Sequence, residues 1–174
     1  MKTEKITVVA YDKNWDNEFQ KIKKELMKVL DGEIVSIEHV GSTSVEGLSA
    51  KPIIDIDIVI DNYDNFKIIV NKLEQIGYKH EGNLGIKDRE AFKYSGKKHL
   101  MVHHIYVCPK SSQELKRHII FREYLRQNPK AVKKYSEVKE QGARLFPNDI
   151  IKYMEYKDDC IKKLYVECGL ITNP

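Results

Sequence analysis

Val40-Gly41-Ser42 is followed, after twelve intervening residues, by Asp55-Ile56-Asp57-Ile58. Two carboxylates stand two apart in a segment, Pro52 to Ile60, that is otherwise apolar. Side chains alternate faces along a strand, so Asp55 and Asp57 point the same way, roughly 7 Å apart. At an effective dielectric near 20, two charges at that separation repel by about 2 kcal/mol. A strand that keeps both needs a positive partner, and Mg²⁺ held by carboxylates and substrate phosphates is the commonest one.

The rest of the chain sets the frame. Its 174 residues suit a single domain spanning 1–174, and its apolar and charged fractions of 41% and 32% describe an ordinary globular protein. No apolar run approaches the roughly 20 residues that span a bilayer, so no membrane association is expected. The opening Met1-Lys2-Thr3-Glu4-Lys5 lacks the apolar core of a signal peptide. Cys108, Cys160 and Cys168 show no CxxC spacing and read as free thiols, which fits a cytoplasmic location. Residues 1–110 hold 17 basic and 17 acidic side chains, whereas 111–174 hold 13 and 9, so the whole positive excess lies in the C-terminal part. Such an excess either favours a phosphate-bearing ligand or marks a solvated helical face.

Apolar spacing predicts a helix from Trp15 to Leu30, capped by Asp12 or Asn14, after a short β-rich start at Ile6–Val9. Strands are expected over Glu33–Val40 and Pro52–Ile60, the second internal to its sheet because only the two acids interrupt its apolar faces. A helix over Asp64–Ile76 and a short strand at Tyr78–Glu81 follow. Glu90–Tyr94 and Leu100–Val107 read as a hairpin across Ser95-Gly96-Lys97-Lys98. Ser111 with Glu114 reads as a capping box for a helix to Arg126. Asn128-Pro129 starts another, and a last helix covers Asn148–Cys168. The expected class is α+β: a mixed sheet flanked by helices in residues 1–110, then a helical C-terminal portion.

A small-residue loop followed by strand acids at i and i+2 resembles the nucleotidyltransferase superfamily. Ile37-Glu38-His39-Val40-Gly41-Ser42-Thr43-Ser44-Val45, Ala50-Lys51-Pro52-Ile53-Ile54-Asp55-Ile56, His103-His104-Ile105-Tyr106-Val107 and Arg117-His118-Ile119-Ile120-Phe121-Arg122 resemble, more closely, the GrpB family. That resemblance covers nearly the whole chain and implies a nucleotidyltransferase-like fold. It brings no settled activity, and in some bacteria a similar domain is fused behind dephospho-coenzyme A kinase. It implies that Asp55 and Asp57 hold Mg²⁺ while the backbone amides of Gly41, Ser42 and Thr43 cradle phosphates.

Active nucleotidyltransferases usually add a third carboxylate from a neighbouring strand. Leu100–Val107 contains none and offers His104 and Tyr106 on one face instead. His104 either serves as base or ligand near neutral pH or hydrogen-bonds an aspartate structurally. Lys51 either reaches a phosphate or forms an ion pair. Arg89 and Lys93 either face the same cleft or are solvated, and His118 and Arg122, four apart on a helix, either serve the site or pack with polar tips. No aromatic–basic stacking pattern argues for nucleic acid. The leading expectation is Mg²⁺-dependent transfer of a nucleotidyl group from an NTP to an acceptor. The alternative is a non-catalytic domain that binds a nucleotide, a coenzyme A-related ligand or a protein partner.

Overall fold

The structure, a computed structural model, describes residues 4–172. The elements run α1 (Asn14–Leu30), β1 (Ser36–Val40), a single 3₁₀ turn (Ser42–Ser44), β2 (Ile54–Ile60), α2 (Phe66–Gln75), β3 (Lys79–Gly82), β4 (Glu90–Lys93), β5 (His103–Pro109), α3 (Gln113–Gln127), α4 (Pro129–Leu145) and α5 (Ile150–Glu167). The five strands form one sheet in the order β1-β2-β5-β4-β3, giving the expected α+β class. Among the described residues only β2 and β5 pair in parallel. A parallel pair needs a crossover, which α2 and the β3–β4 hairpin supply.

The alternation of β2 divides the molecule. Ile54, Ile56, Ile58 and Ile60 have no solvent exposure and pack with Trp15, Phe19, Ile22 and Leu26 of α1 and Ile69 and Leu73 of α2. The opposite face carries Asp55, Asp57 and Val59. Val59 packs with Cys108 and Leu115, which brings α3 over this face. Beyond α3, Leu125, Val132, Tyr135 and Leu164 close on Val45 and Leu48, so α3, α4 and α5 fasten onto the loop between β1 and β2. An apolar core on one face and a polar cleft on the other follow directly from the Ile/Asp alternation.

Several elements differ from expectation. The β-rich start contributes one bridge, Val9 to Ala50, instead of a strand. α1 begins after Lys13, whose side chain caps nothing, while Asp12 Oδ1 accepts the Asn14 N–H at 2.8 Å. The cap of α3 is Ser112, not Ser111: its hydroxyl accepts the Leu115 N–H, which frees Glu114 for other partners. The β4–β5 connection is longer than a four-residue turn. Tyr94 leaves the ladder to stack on His103, with ring centroids 4.3 Å apart, and its hydroxyl accepts the His103 N–H. Among the described residues no helix is long and apolar enough to cross a membrane.

Candidate functional site

Strand register assembles the acidic part of the cleft. On β5, His104 lies opposite Asp55 and Tyr106 opposite Asp57; on β1, Glu38 lies opposite Asp57. His104 Nδ1 is 3.1 Å from Asp55 Oδ1, and this hydrogen bond raises the His104 pKa above its ordinary value against the pull of burial. His103, one residue earlier, faces the other way and is held by Tyr78 Oη at 2.8 Å. The two adjacent histidines therefore serve different faces, as strand alternation requires.

Asp57 is fully buried, and burial raises its pKa. His118 on α3 answers it, with Nδ1 2.6 Å from Asp57 Oδ2 and Nε2 3.1 Å from Glu114 Oε1. Burial works against a charge on His118, but the bonds and attraction of Asp57 and Glu114 outweigh it and raise the imidazole pKa. The other Asp57 oxygen, Oδ1, is buried with no hydrogen-bond partner.

The loop from β1 to β2 closes on this pair. Gly41 adopts φ +71°, ψ −174°, a conformation essentially confined to glycine. A Cβ there would overlap Asp55 Oδ2 and sit 3.0 Å from Asp55 Cβ, so the loop backbone and the carboxylate touch. Thr43 Oγ1 donates to Ile53 O and lies 2.9 Å from His39 Nε2, which holds the loop in place. His39 thus orients the loop from the core side, stacked on Phe19 and kept neutral by burial, with its pKa lowered to about 4.

A pocket of about 200 Å³ opens beside Asp55 and is lined by Ser42, Thr43, Lys51, His104 and, from α4 and α5, Tyr135, Lys139, Tyr153 and Lys157. Lys139 is 4% exposed; its Nζ donates to Ser42 Oγ and to Ser49 O at 3.1 Å. Lys157 is 8% exposed and lies 4.5 Å above the Tyr153 ring. Burial, with Lys157 adding repulsion, lowers the Lys139 pKa to about 7; burial and Lys51 lower that of Lys157 to about 8. Burial also lowers the Lys51 pKa, although Asp55 opposes it. Among the described residues none of these three lysines has a carboxylate within 4.0 Å.

The expected site residues therefore separate. Ser42, Thr43, Lys51, Asp55 and His104 share the pocket, with Gly41 against Asp55. Tyr106, Asp57 and His118 continue the same face, where the Arg89 guanidinium lies 4.4 Å over the Tyr106 ring. Lys93 is outside the cleft, an exposed edge charge 3.9 Å from Glu81. Arg122 is spent on structure: it holds Glu38 at 2.9 Å and donates to His39 O at 3.0 Å. Glu38 is thus a carboxylate beside Asp57 that already has its cation. Tyr135, Lys139, Tyr153 and Lys157 were not anticipated from the sequence, nor was the Glu114 contact to His118.

The donor set can be weighed against a divalent cation. Among the described residues no group of three His, Cys, Asp or Glu side chains converges as a metal cage. Mg²⁺ asks for less, since one or two carboxylates plus substrate phosphates and water suffice. The partly exposed Asp55 and the unpartnered Asp57 Oδ1 meet that requirement.

Comparison with known proteins shows the family and the fold. The chain is 34% identical over 158 residues to UPF0157 protein YqkA of Bacillus subtilis, matching 91% of the chain and 46% of YqkA, so it spans about half of that relative. The crystal structure of conserved protein GrpB from Enterococcus faecalis superimposes with a TM-score of 0.80 at 34% identity, over 93% of this chain and 96% of that one. The Cid1 poly(U) polymerase, in a structure bound to MgATP, matches with a TM-score of 0.52 at 10% identity, over 76% of this chain and 45% of its own. At that identity the likeness is one of fold, which is nucleotidyltransferase-like. Residues 5–167 match the family described as GrpB protein, and the chain belongs to the GrpB family.

Proposed function

We propose that the cleft binds the phosphate chain of a nucleoside triphosphate and supports nucleotidyl transfer to an acceptor. The observation that carries this reading is the set of three lysines, two of them buried, with no carboxylate partner among the described residues. A buried, unpaired ammonium is costly, and the lowered lysine pKa values express that cost. An anion entering the pocket removes it. Perturbed groups gathered in a cleft are the pattern that marks functional sites.

In this reading Lys51, Lys139 and Lys157 bind and orient the phosphates, and the Gly41–Ser44 loop limits their approach to Asp55. Asp55 and Asp57 would hold Mg²⁺, which when bound lowers the charge around the attacked phosphorus. His104, anchored through Nδ1 to Asp55, has Nε2 left to take a proton from an acceptor hydroxyl. The second reading, a ligand-binding domain without turnover, is favoured by one observation: each aspartate already has a histidine against it.

Calorimetric titration with ATP, with and without Mg²⁺, tests the proposal on the wild type and on the Asp55→Asn/Asp57→Asn double variant. Mg²⁺-dependent binding that disappears in the variant, with circular dichroism unchanged, is expected. Identical responses from both proteins overturn the metal-bearing reading. Binding that survives a chelator, with no nucleotidyl transfer to any acceptor tried, supports the second.

A further inference from the structure

Three features of the pocket bear on which part of a ligand it recognises. The first is charge: Lys51 approaches from the loop before β2, Lys139 from α4 and Lys157 from α5, so three ammonium groups converge on one cavity beside a single carboxylate, Asp55. The second is size. A volume of about 200 Å³ is smaller than pockets that engulf drug-sized ligands, which begin near about 300 Å³. It is scaled to part of a nucleotide, such as the phosphate chain. The third is the lining. Among the described residues it holds no Asn or Gln, and its two tyrosine rings are already covered by lysines, Lys139 4.6 Å from the Tyr135 centroid, Lys157 4.5 Å and Lys51 5.2 Å from that of Tyr153, while the His104 imidazole is tied to Asp55. The Thr43 hydroxyl is spent on Ile53 O.

A site that discriminates strongly between similar molecules presents polar groups that the wrong molecule leaves unpaired. A phosphate chain held by these ammonium groups would leave the base outside. We propose that it reads the length of a phosphate chain and not the base, taking a linear triphosphate from any nucleoside triphosphate or as inorganic tripolyphosphate. The proposal rests on the phosphate-binding reading above and names its selectivity.

The test is calorimetry in Mg²⁺ buffer with ATP, GTP, CTP, UTP, inorganic tripolyphosphate, pyrophosphate, orthophosphate and adenosine. The four triphosphates and tripolyphosphate are expected to bind within about tenfold of one another. Each phosphate removed is expected to weaken binding by about tenfold, the worth of one lost charge-assisted contact, and adenosine is expected not to bind. Lys157→Met and Lys51→Gln weaken all five triphosphate ligands in parallel; the pair guards against a fold defect in either one. One nucleotide favoured by more than about tenfold, or tripolyphosphate that fails where nucleotides bind, overturns base-blind recognition but leaves triphosphate binding standing. Absence of binding by every phosphate compound overturns both.

Discussion

Asp57 Oδ2 and His118 Nδ1 lie 2.6 Å apart, tying a carboxylate with no solvent exposure to the helix that covers it. His118 Nε2 also faces Glu114, so both ring nitrogens meet carboxylates, which raise the imidazole pKa against burial. Once protonated, the imidazole is a counter-charge for the acidic face, and its contacts fix α3 over the sheet at the point where apolar packing stops.

Removing His118 leaves Asp57 buried and unpaired. His118→Ala is therefore expected to cost about 3–5 kcal/mol in urea unfolding, and adding Asp57→Asn to recover a large part of it. The pKa of His118 is raised on folding, so its contribution is fully present below the ordinary histidine pKa and is lost as pH rises through the folded value. The gap between wild type and His118→Ala should accordingly narrow from pH 6 to pH 9. A gap that is flat with pH would show that packing, not charge, holds α3.

Gly41 and Gly85 both have positive φ, +71° and +83°, but only Gly41 has a neighbour where a Cβ would go. Gly85→Ala should cost only backbone strain, about 1 kcal/mol. Gly41→Ala adds a collision with the Asp55 carboxylate and is expected to cost about 2–3 kcal/mol or more, with tripolyphosphate binding lost. Equal losses in the two variants would mean that the loop yields freely and does not set the position of Asp55.

Tyr153 has no solvent exposure, and its hydroxyl is buried without a hydrogen-bond partner. Deleting an unsatisfied buried hydroxyl removes a cost, so Tyr153→Phe should be neutral or stabilising by about 1 kcal/mol in the free protein. In a pocket that receives phosphate oxygens the same hydroxyl gains an acceptor. The substitution should then weaken tripolyphosphate binding several-fold while leaving or raising thermal stability. A marked loss of stability without ligand would point to a partner that the packing does not reveal.

Period-two alternation made the sheet side of the cleft legible. The faces of β2, the shared face of His104 and Tyr106, and the opposition of neighbouring histidines all follow from it and from the apolar pattern. The cation side was hidden because it comes from α4 and α5, where charged side chains are so frequent that none stands out by itself. One local signal was present: Tyr135 and Lys139 on α4, and Tyr153 and Lys157 on α5, repeat a tyrosine one helical turn before a lysine. That spacing places each pair on one face. It does not say that the two faces meet over Ser42, which depends on how Leu125, Val132 and Leu164 pack on Val45 and Leu48. The capping serine was missed by one position, since Ser111 and Ser112 are chemically identical and only backbone geometry chooses between them.

Lys139 supplies the sharpest test, because stability and binding should move in opposite directions. Its pKa falls from an ordinary 10.5 to about 7 on folding, chiefly through burial. The folded protein therefore binds fewer protons than the unfolded chain between pH 7 and 10.5, and this group makes stability rise with pH across that window. Below pH 7 the cost of burying the charge is complete, about 5 kcal/mol at most. Lys139→Met removes that cost but also leaves Ser49 O without its Lys139 donor, so the slope with pH is the quantity to measure. The stability of Lys139→Met relative to wild type should fall by about 2–3 kcal/mol from pH 6 to pH 9. Tripolyphosphate should stabilise the wild type by mass action, more at pH 6 than at pH 9, and should stabilise Lys139→Met less. A pH-independent difference would mean that Lys139 stays charged throughout, with a folded pKa near the ordinary one. Equal stabilisation of both proteins by tripolyphosphate would place the anion elsewhere.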